Sequence, residues 1–261
     1  MRSPPAPLAR RCQTLTARHL TAHPAGAHIL NTEEMAALVS DLGLVPSAPI
    51  LISDMMGCMP SARLWWALRA HGFGGASILQ GSKVALWAAQ GDSLSTAAPR
   101  IPSAAEQQAA DEALTHAPIA LSGDWAAPLA EVQAAARGEG ATKSTILDVR
   151  SLPEFTGEDV RGGNPVGGHI PGSRHIPHEE FLAPSTNWPA VPMFKTPEAV
   201  RGMLASKGFP SPQDAGRVIC MCQSGMRAAV PLPSLYALGY DVALFDGSMA
   251  EYSADVHSTF A

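Results

Sequence analysis

The chain has 261 residues, 46% of them hydrophobic and 16% charged, with a formal net charge of −5. That balance supplies apolar mass for one large or two modest globular domains, and it excludes general affinity for nucleic acid or an anionic membrane surface. No apolar run is long enough for a transmembrane helix, and the four cysteines (Cys12, Cys58, Cys220, Cys222) have neither zinc spacing nor the number a disulfide scaffold needs, so they suit a reducing compartment and a working thiol.

Residues 1–30 form an irregular start. They carry Arg2, Arg10, Arg11 and Arg18, three histidines and no Asp or Glu. Such a composition reads as an organelle-targeting segment or as a disordered Pro/Ala-rich leader. The expected compartment is therefore cytoplasmic, or mitochondrial if these residues target.

Asn31-Thr32-Glu33-Glu34 has the form of a helix start with Asn31 or Thr32 as cap. Met35, Leu38, Val39 and Leu42 follow at helical spacing, and Gly43 ends the run. Pro49–Asp54 reads as a short buried strand, Ser61–His71 as a helix ended by Gly72, Ala76–Leu79 as the next strand and Val84–Ala89 as helix. Strand–helix alternation predicts an α/β layer with a parallel sheet. Residues 90–124 are rich in Ala, Ser and Pro with few large apolar side chains, which predicts a linker, placed at 94–120 between a first unit (31–93) and a second (121–261). Trp125–Ala136 is a further helix and Thr145–Val149 a strand. Residues 183–197 hold four prolines and form an irregular excursion, after which Pro197–Ser206 is a helix with proline at its first position.

Val218 to Met221 reads as a buried strand, followed by Cys222-Gln223-Ser224-Gly225-Met226-Arg227 and a helix-like run to Leu238, with Gly239 as terminator. A cysteine between a strand and a helix sits where backbone N–H groups converge and the helix dipole favours an anion, so its thiol should ionise readily and act as a nucleophile. The plainer alternative is a buried structural cysteine before an ordinary turn. Pro231 fits the first turn of the helix, whereas Pro233 should kink it or delay its start. Cys220 and Cys222, two apart on a strand, point to one side. That leaves Cys220 a resolving-thiol role or a purely structural one, with a disulfide between them strained.

The Cys222–Arg227 loop resembles the active-site loop of rhodanese-type sulfurtransferases. Ile146-Leu147-Asp148-Val149-Arg150, Glu154-Phe155-Thr156-Gly157, Gly168-His169-Ile170-Pro171-Gly172 and Phe245–Tyr252 resemble further signatures of the family, in family order. Ser61–Arg69 resembles the helix after the loop in the inactive N-terminal half of two-domain members. Ile50–Asp54 then answers to Val218–Met221, and Ile78–Gly81 to Leu244–Gly247. The resemblance implies two tandem rhodanese-like α/β domains, each a mainly parallel sheet flanked by helices, with the first incomplete and catalytically silent. Its loop has Met55 at the cysteine's place, with Cys58 as a non-catalytic loop residue and the Trp65-Trp66 pair as packing.

The implied activity moves a sulfane sulfur from thiosulfate or 3-mercaptopyruvate to cyanide or a thiol through a Cys222 persulfide, with no cofactor and no metal. Gln223, Ser224, Gly225, Met226 and Arg227 would bind the substrate, Arg227 holding the donor's anionic end, and Arg161 would be a second anion-binding group. Asp148, Arg150 and His169 would support the site. Gln223 after the cysteine, and Glu158 and Val166 where mercaptopyruvate-using relatives carry arginines, depart from the pattern and leave the donor open, as is the oligomeric state. The rival readings are a rhodanese-like binding or sulfur-carrier module and a phosphatase. Four residues between Cys222 and Arg227 suit sulfur better than phosphate.

Overall fold

The computed structural model describes residues 29–54, 57–79, 101–116, 119–139, 143–161, 164–184, 192–255 and 257–261. Met55, Gly81, the expected Val84–Ala89 helix and nearly all of the N-terminal segment lie outside them.

The second half is built on a four-stranded parallel sheet whose strands lie in the order Arg174–His175, Ser144–Asp148, Arg217–Met221, Asp241–Leu244. To name its parts in chain order, α1 is Thr32–Asp41, β1 Ile50–Ile52, α2 Met59–Ala70, β2 Ala76–Ile78, α3 Ala104–His116 and α4 Leu129–Ala136. Then come β3 (Ser144–Asp148), α5 (Leu152–Thr156), β4 (Arg174–His175), β5 (Leu182–Ala183), β6 (Met193–Phe194), α6 (Pro197–Ser206) and α7 (Pro212–Ala215). β7 (Arg217–Met221), α8 (Pro231–Ala237), β8 (Asp241–Leu244) and α9 (Ser248–Ala254) complete the fold. β7 is central, with Asp148 of β3 opposite Met221 on one side and Cys220 opposite Leu244 of β8 on the other.

Both faces of β7 are covered, which explains its unbroken apolar run. Val218, Cys220 and Cys222 belong to one buried cluster; Ile219 and Met221 belong to a second, with Ile146, Phe245 and Tyr252. Cys220 and Cys222 thus face the same side, as strand periodicity requires. The first cluster also contains Met35, Trp65, Trp66, Leu68 and Phe73, so the two halves share one core.

In the first half β1 and β2 pair in parallel, Ile50 opposite Ala76, joined through α2. The same strand–helix–strand connection links β7 to β8 through α8. Asn31 closes a capping box with Glu34: its Oδ1 accepts the Glu34 N–H, and Glu34 Oε2 accepts the Asn31 N–H. α2 starts earlier than its apolar spacing suggested, because Pro60 fits the first turn. Its two tryptophans point to different neighbours. The Trp65 indole N–H donates to the Ala76 carbonyl of its own half (3.1 Å), and that of Trp66 donates to the Trp125 carbonyl of the second half (2.7 Å). The Trp65, Trp125 and Tyr236 rings meet at centroid distances of 5.3 to 5.8 Å.

Three expectations need correction, and a fourth, the delayed start of the helix after the cysteine loop, holds. The stretch read as a linker holds α3, which packs on α1 with Ala110 fully buried. Alanine favours helix strongly and small residues allow close packing, so scarce large side chains did not signal loop. The helix expected from Trp125 begins at Leu129, since Pro128 is its N-cap and Trp125–Ala127 runs along β8, bridging Ala126 to Leu244. The described ends of the proline-rich excursion form a small antiparallel ladder, β5 with β6. After the cysteine loop a 3-10 turn (Arg227–Ala229) precedes α8, which starts at Pro231. Pro233 falls in that helix's first turn, where a missing N–H leaves no bond unmade.

Candidate active site

Cys222 lies at the C-terminal end of β7 and is only 1% exposed, with half-buried Gln223 and Ser224 above it. Its backbone N–H donates to Ser248 Oγ (3.1 Å), and that hydroxyl donates to the Phe245 carbonyl (2.8 Å). Ser248 takes φ +52°, a strained setting for a non-glycine residue, and its hydroxyl spans from the end of β8 to the nucleophile's backbone. The Cys222 and Gln223 carbonyls accept the Met249 and Ala250 N–H groups, so α9 begins directly on the loop. Gly225 turns with φ +81°, and a Cβ there would stand 2.6 Å from the Asp246 carbonyl oxygen and 2.7 Å from its Oδ1. Only glycine fits.

The guanidinium of Arg227 makes a two-pronged pair with Glu154, each bond 2.7 Å. Burial alone would raise the Glu154 pKa, but the Arg227 and Ser151 hydrogen bonds and the Arg227 charge override it and hold the carboxyl at about 2. The same bonds push the Arg227 pKa up from its ordinary value. Arg227 therefore faces a buried carboxylate, with 22% of its own side chain left open to water. Arg161, the other expected anion-binding group, is exposed and pairs with Asp159 (2.8 Å). Gln223 makes a reciprocal amide pair with Asn164, at 2.7 and 3.1 Å, which ties the loop's mouth to the neighbouring segment.

The supporting residues come together at the foot of the site. Asp148 and Arg150, both buried, pair through Arg150 Nη2 and Nε (2.6 and 3.0 Å), and Arg150 Nη2 also donates to the Gly168 carbonyl. His169 stacks on Phe155 at 3.8 Å, and its Nδ1 lies 3.0 Å from the Phe155 carbonyl, which makes that nitrogen the protonated one. Neither group reaches Cys222.

The other described cysteines sit in poor settings for a nucleophile. Cys220 is fully buried, and burial, then the neighbouring Cys222, pushes its thiol pKa up. Cys58 caps α2 with φ +74°, donates Sγ–H to the Pro192 carbonyl (3.3 Å), and has its pKa pushed up to about 12 by burial and then by Asp54. A thiolate there is negligible at neutral pH. Cys58→Ser should leave steady-state sulfur transfer within about twofold of wild type; a large loss measured with folded protein would place Cys58 in the reaction.

Glu154, Asn164, Ser248 and Asp246 are site residues that sequence reasoning missed as such. Glu154 was hidden because Ser151-x-x-Glu154 is also a capping box, and its Oε2 accepts the Ser151 N–H and hydroxyl as well as Arg227. Ser248 and Asp246 stood inside a recognised motif without an assigned part.

The site is thus a parallel α/β sheet that presents a cysteine at a central strand's C-terminal end, in a six-residue loop pinned at both ends. A family model for the rhodanese-like domain matches residues 129–255. A putative thiosulfate sulfurtransferase of Mycobacterium tuberculosis, SseB, is 30% identical over 221 residues, which are 85% of this chain and 69% of that protein. A probable 3-mercaptopyruvate sulfurtransferase of Schizosaccharomyces pombe is 26% identical, over 84% of this chain and 69% of that one. Among solved structures, the 3-mercaptopyruvate sulfurtransferase SseA of Escherichia coli superposes with a TM-score of 0.65 at 21% identity, over 90% of this chain and 80% of SseA. The chain belongs to the rhodanese-like sulfurtransferase family.

Proposed function

We propose that this sulfurtransferase carries a sulfane sulfur on Cys222, taken from thiosulfate or 3-mercaptopyruvate and passed to cyanide or a thiol. The observation that carries the reading is the Cys222 loop, anchored by Ser248 at its start and by the Arg227–Glu154 pair at its end. The Cys222 thiolate attacks the outer sulfur of thiosulfate. The S–S bond of the donor breaks, sulfite leaves with the electron pair, and a Cys–S–S⁻ persulfide remains. Cyanide then attacks the outer sulfur, thiocyanate leaves and the thiolate returns. With 3-mercaptopyruvate a C–S bond breaks instead, and the pyruvate carbon takes a proton.

Each remaining residue has one part in this reading. The loop N–H groups from Gln223 to Arg227 form a nest for the persulfide anion, and Gly225 permits the turn. Ser224 and Met226 line the mouth, and the Gln223–Asn164 amide pair holds it in shape. Arg227 supplies fixed positive charge beneath the loop through its anchor on Glu154, while Asp148, Arg150 and His169 hold the surrounding turns. Arg161, paired at the surface, is left without a direct part. The first half, with its parallel β1–α2–β2 unit, is read as a truncated or divergent rhodanese-like domain in tandem with the catalytic one.

The test is donor loading on the intact chain. After incubation with thiosulfate or 3-mercaptopyruvate, the mass should rise by one sulfur atom and fall back on addition of cyanide, with thiocyanate released. No gain with either donor would leave the carrier-free binding-module reading in its place.

A further inference from the structure

We propose that Arg63, on α2 of the first half, is a positioning residue for the sulfur-transfer loop of the second half, acting through Asp246. The proposal rests on the sulfur-transfer reading of Cys222. Arg63 is fully buried, and its Nη1 lies 2.6 Å from Asp246 Oδ1. Its guanidinium stacks over the Trp66 ring at 4.5 Å, and Trp66 is itself held by the Trp125 carbonyl. The other Asp246 oxygen accepts the backbone N–H of Ile29, so two separate stretches of the first half converge on this one carboxylate.

Asp246 stands in a sensitive place. The residue before it, Phe245, donates its N–H to the Cys220 carbonyl (2.9 Å), and Ser248, two residues on, accepts the Cys222 N–H. On its inner side it meets the catalytic turn: a Cβ on Gly225 would lie 2.7 Å from Asp246 Oδ1 and 3.1 Å from Arg63 Nη1. The ion pair therefore forms the wall against which the third residue after the nucleophile turns. A buried guanidinium demands its counter-charge, so Arg63 fixes where Asp246 can be, and Asp246 fixes the turn at Gly225. The first half contributes more than packing in this arrangement. It sets the loop whose N–H groups receive the persulfide, and misplacement of such groups by about 1 Å lowers rates by about 100-fold.

Three variants of the full chain test this: Arg63→Met, Arg63→Lys and Asp246→Asn. Each is checked for folding by circular dichroism and thermal melting, and read by the single-turnover rate of sulfur loading and the pH profile of Cys222 alkylation. Arg63→Met should slow loading about 10- to 100-fold per folded molecule and move the alkylation midpoint upward, because Asp246 keeps its negative charge beside the loop. Arg63→Lys, which keeps the charge, should recover part of the rate. Asp246→Asn should slow loading with no upward move of the midpoint. A merely structural pair would lower the melting temperature and leave loading rate and alkylation profile as in wild type, and that result in folded Arg63→Met or Asp246→Asn would overturn the proposal. If the wild-type chain itself takes up no sulfur, the sulfur-transfer reading fails instead, so the two failures are distinguishable.

Discussion

Cys222→Ser should gain no sulfur from either donor and should turn over at the uncatalysed rate. A serine hydroxyl is not deprotonated at neutral pH, and its oxygen cannot take the place of sulfur in the S–S bond that carries the transferred atom. No described cysteine can substitute, because the Cys58 thiol is pushed up to about 12 and Cys220 is sealed in the core. The variant should fold normally: serine is close in volume to cysteine, and the Cys222 N–H bond to Ser248 is made by the backbone. Intact mass after incubation with each donor, with wild type alongside, is the measurement. A variant that still gained the sulfur would move the carrier role elsewhere in the chain.

The second large effect is expected beneath the loop. Glu154→Gln should destabilise the protein by about 3 kcal/mol, the low end for breaking a buried pair, since Arg227 keeps 22% of its side chain open to water. Urea unfolding at neutral pH reads this directly. The pH dependence has a definite sign. The Glu154 carboxyl titrates at about 2 in the fold against an ordinary 4.5, so its contribution is fully present above about 4.5 and is lost as pH falls towards 2. Wild type should therefore lose stability through that acid window more steeply than Glu154→Gln. Parallel slopes for the two proteins would mean that the pair contributes nothing to stability. Loading by the variant should also slow, because the loop loses the anchor at its far end.

Local chemistry was legible in the sequence where the signal lay within a few residues. The Asn31–Glu34 capping box, the proline start of α6 and the glycine at the end of α8 each follow from one turn of chain. The strand-end setting of Cys222 was legible because strand, cysteine, glycine and arginine stand together. What stayed hidden was pairing between segments. Nothing local to Arg227 says that it meets Glu154, nothing near Gln223 points to Asn164, and Arg63 and Asp246 lie in different halves. The helix α3 was missed for another reason: its surface is made of Ala, Gln and Glu, which form helix by intrinsic preference while offering little apolar periodicity.

The shared core has a consequence for how this molecule comes apart. Cys222 and Trp66 lie in one continuous apolar cluster, with Val230, Leu232 and Leu235 buried in the same mass as α2's inner face. Separate beads on a string can open one at a time; here, peeling α2 away would bare the α8 surface and release the wall behind Gly225 together. Detachment of the first half should therefore disturb the loop that holds the thiol. Unfolding and loss of sulfur transfer are therefore expected to coincide as denaturant is raised.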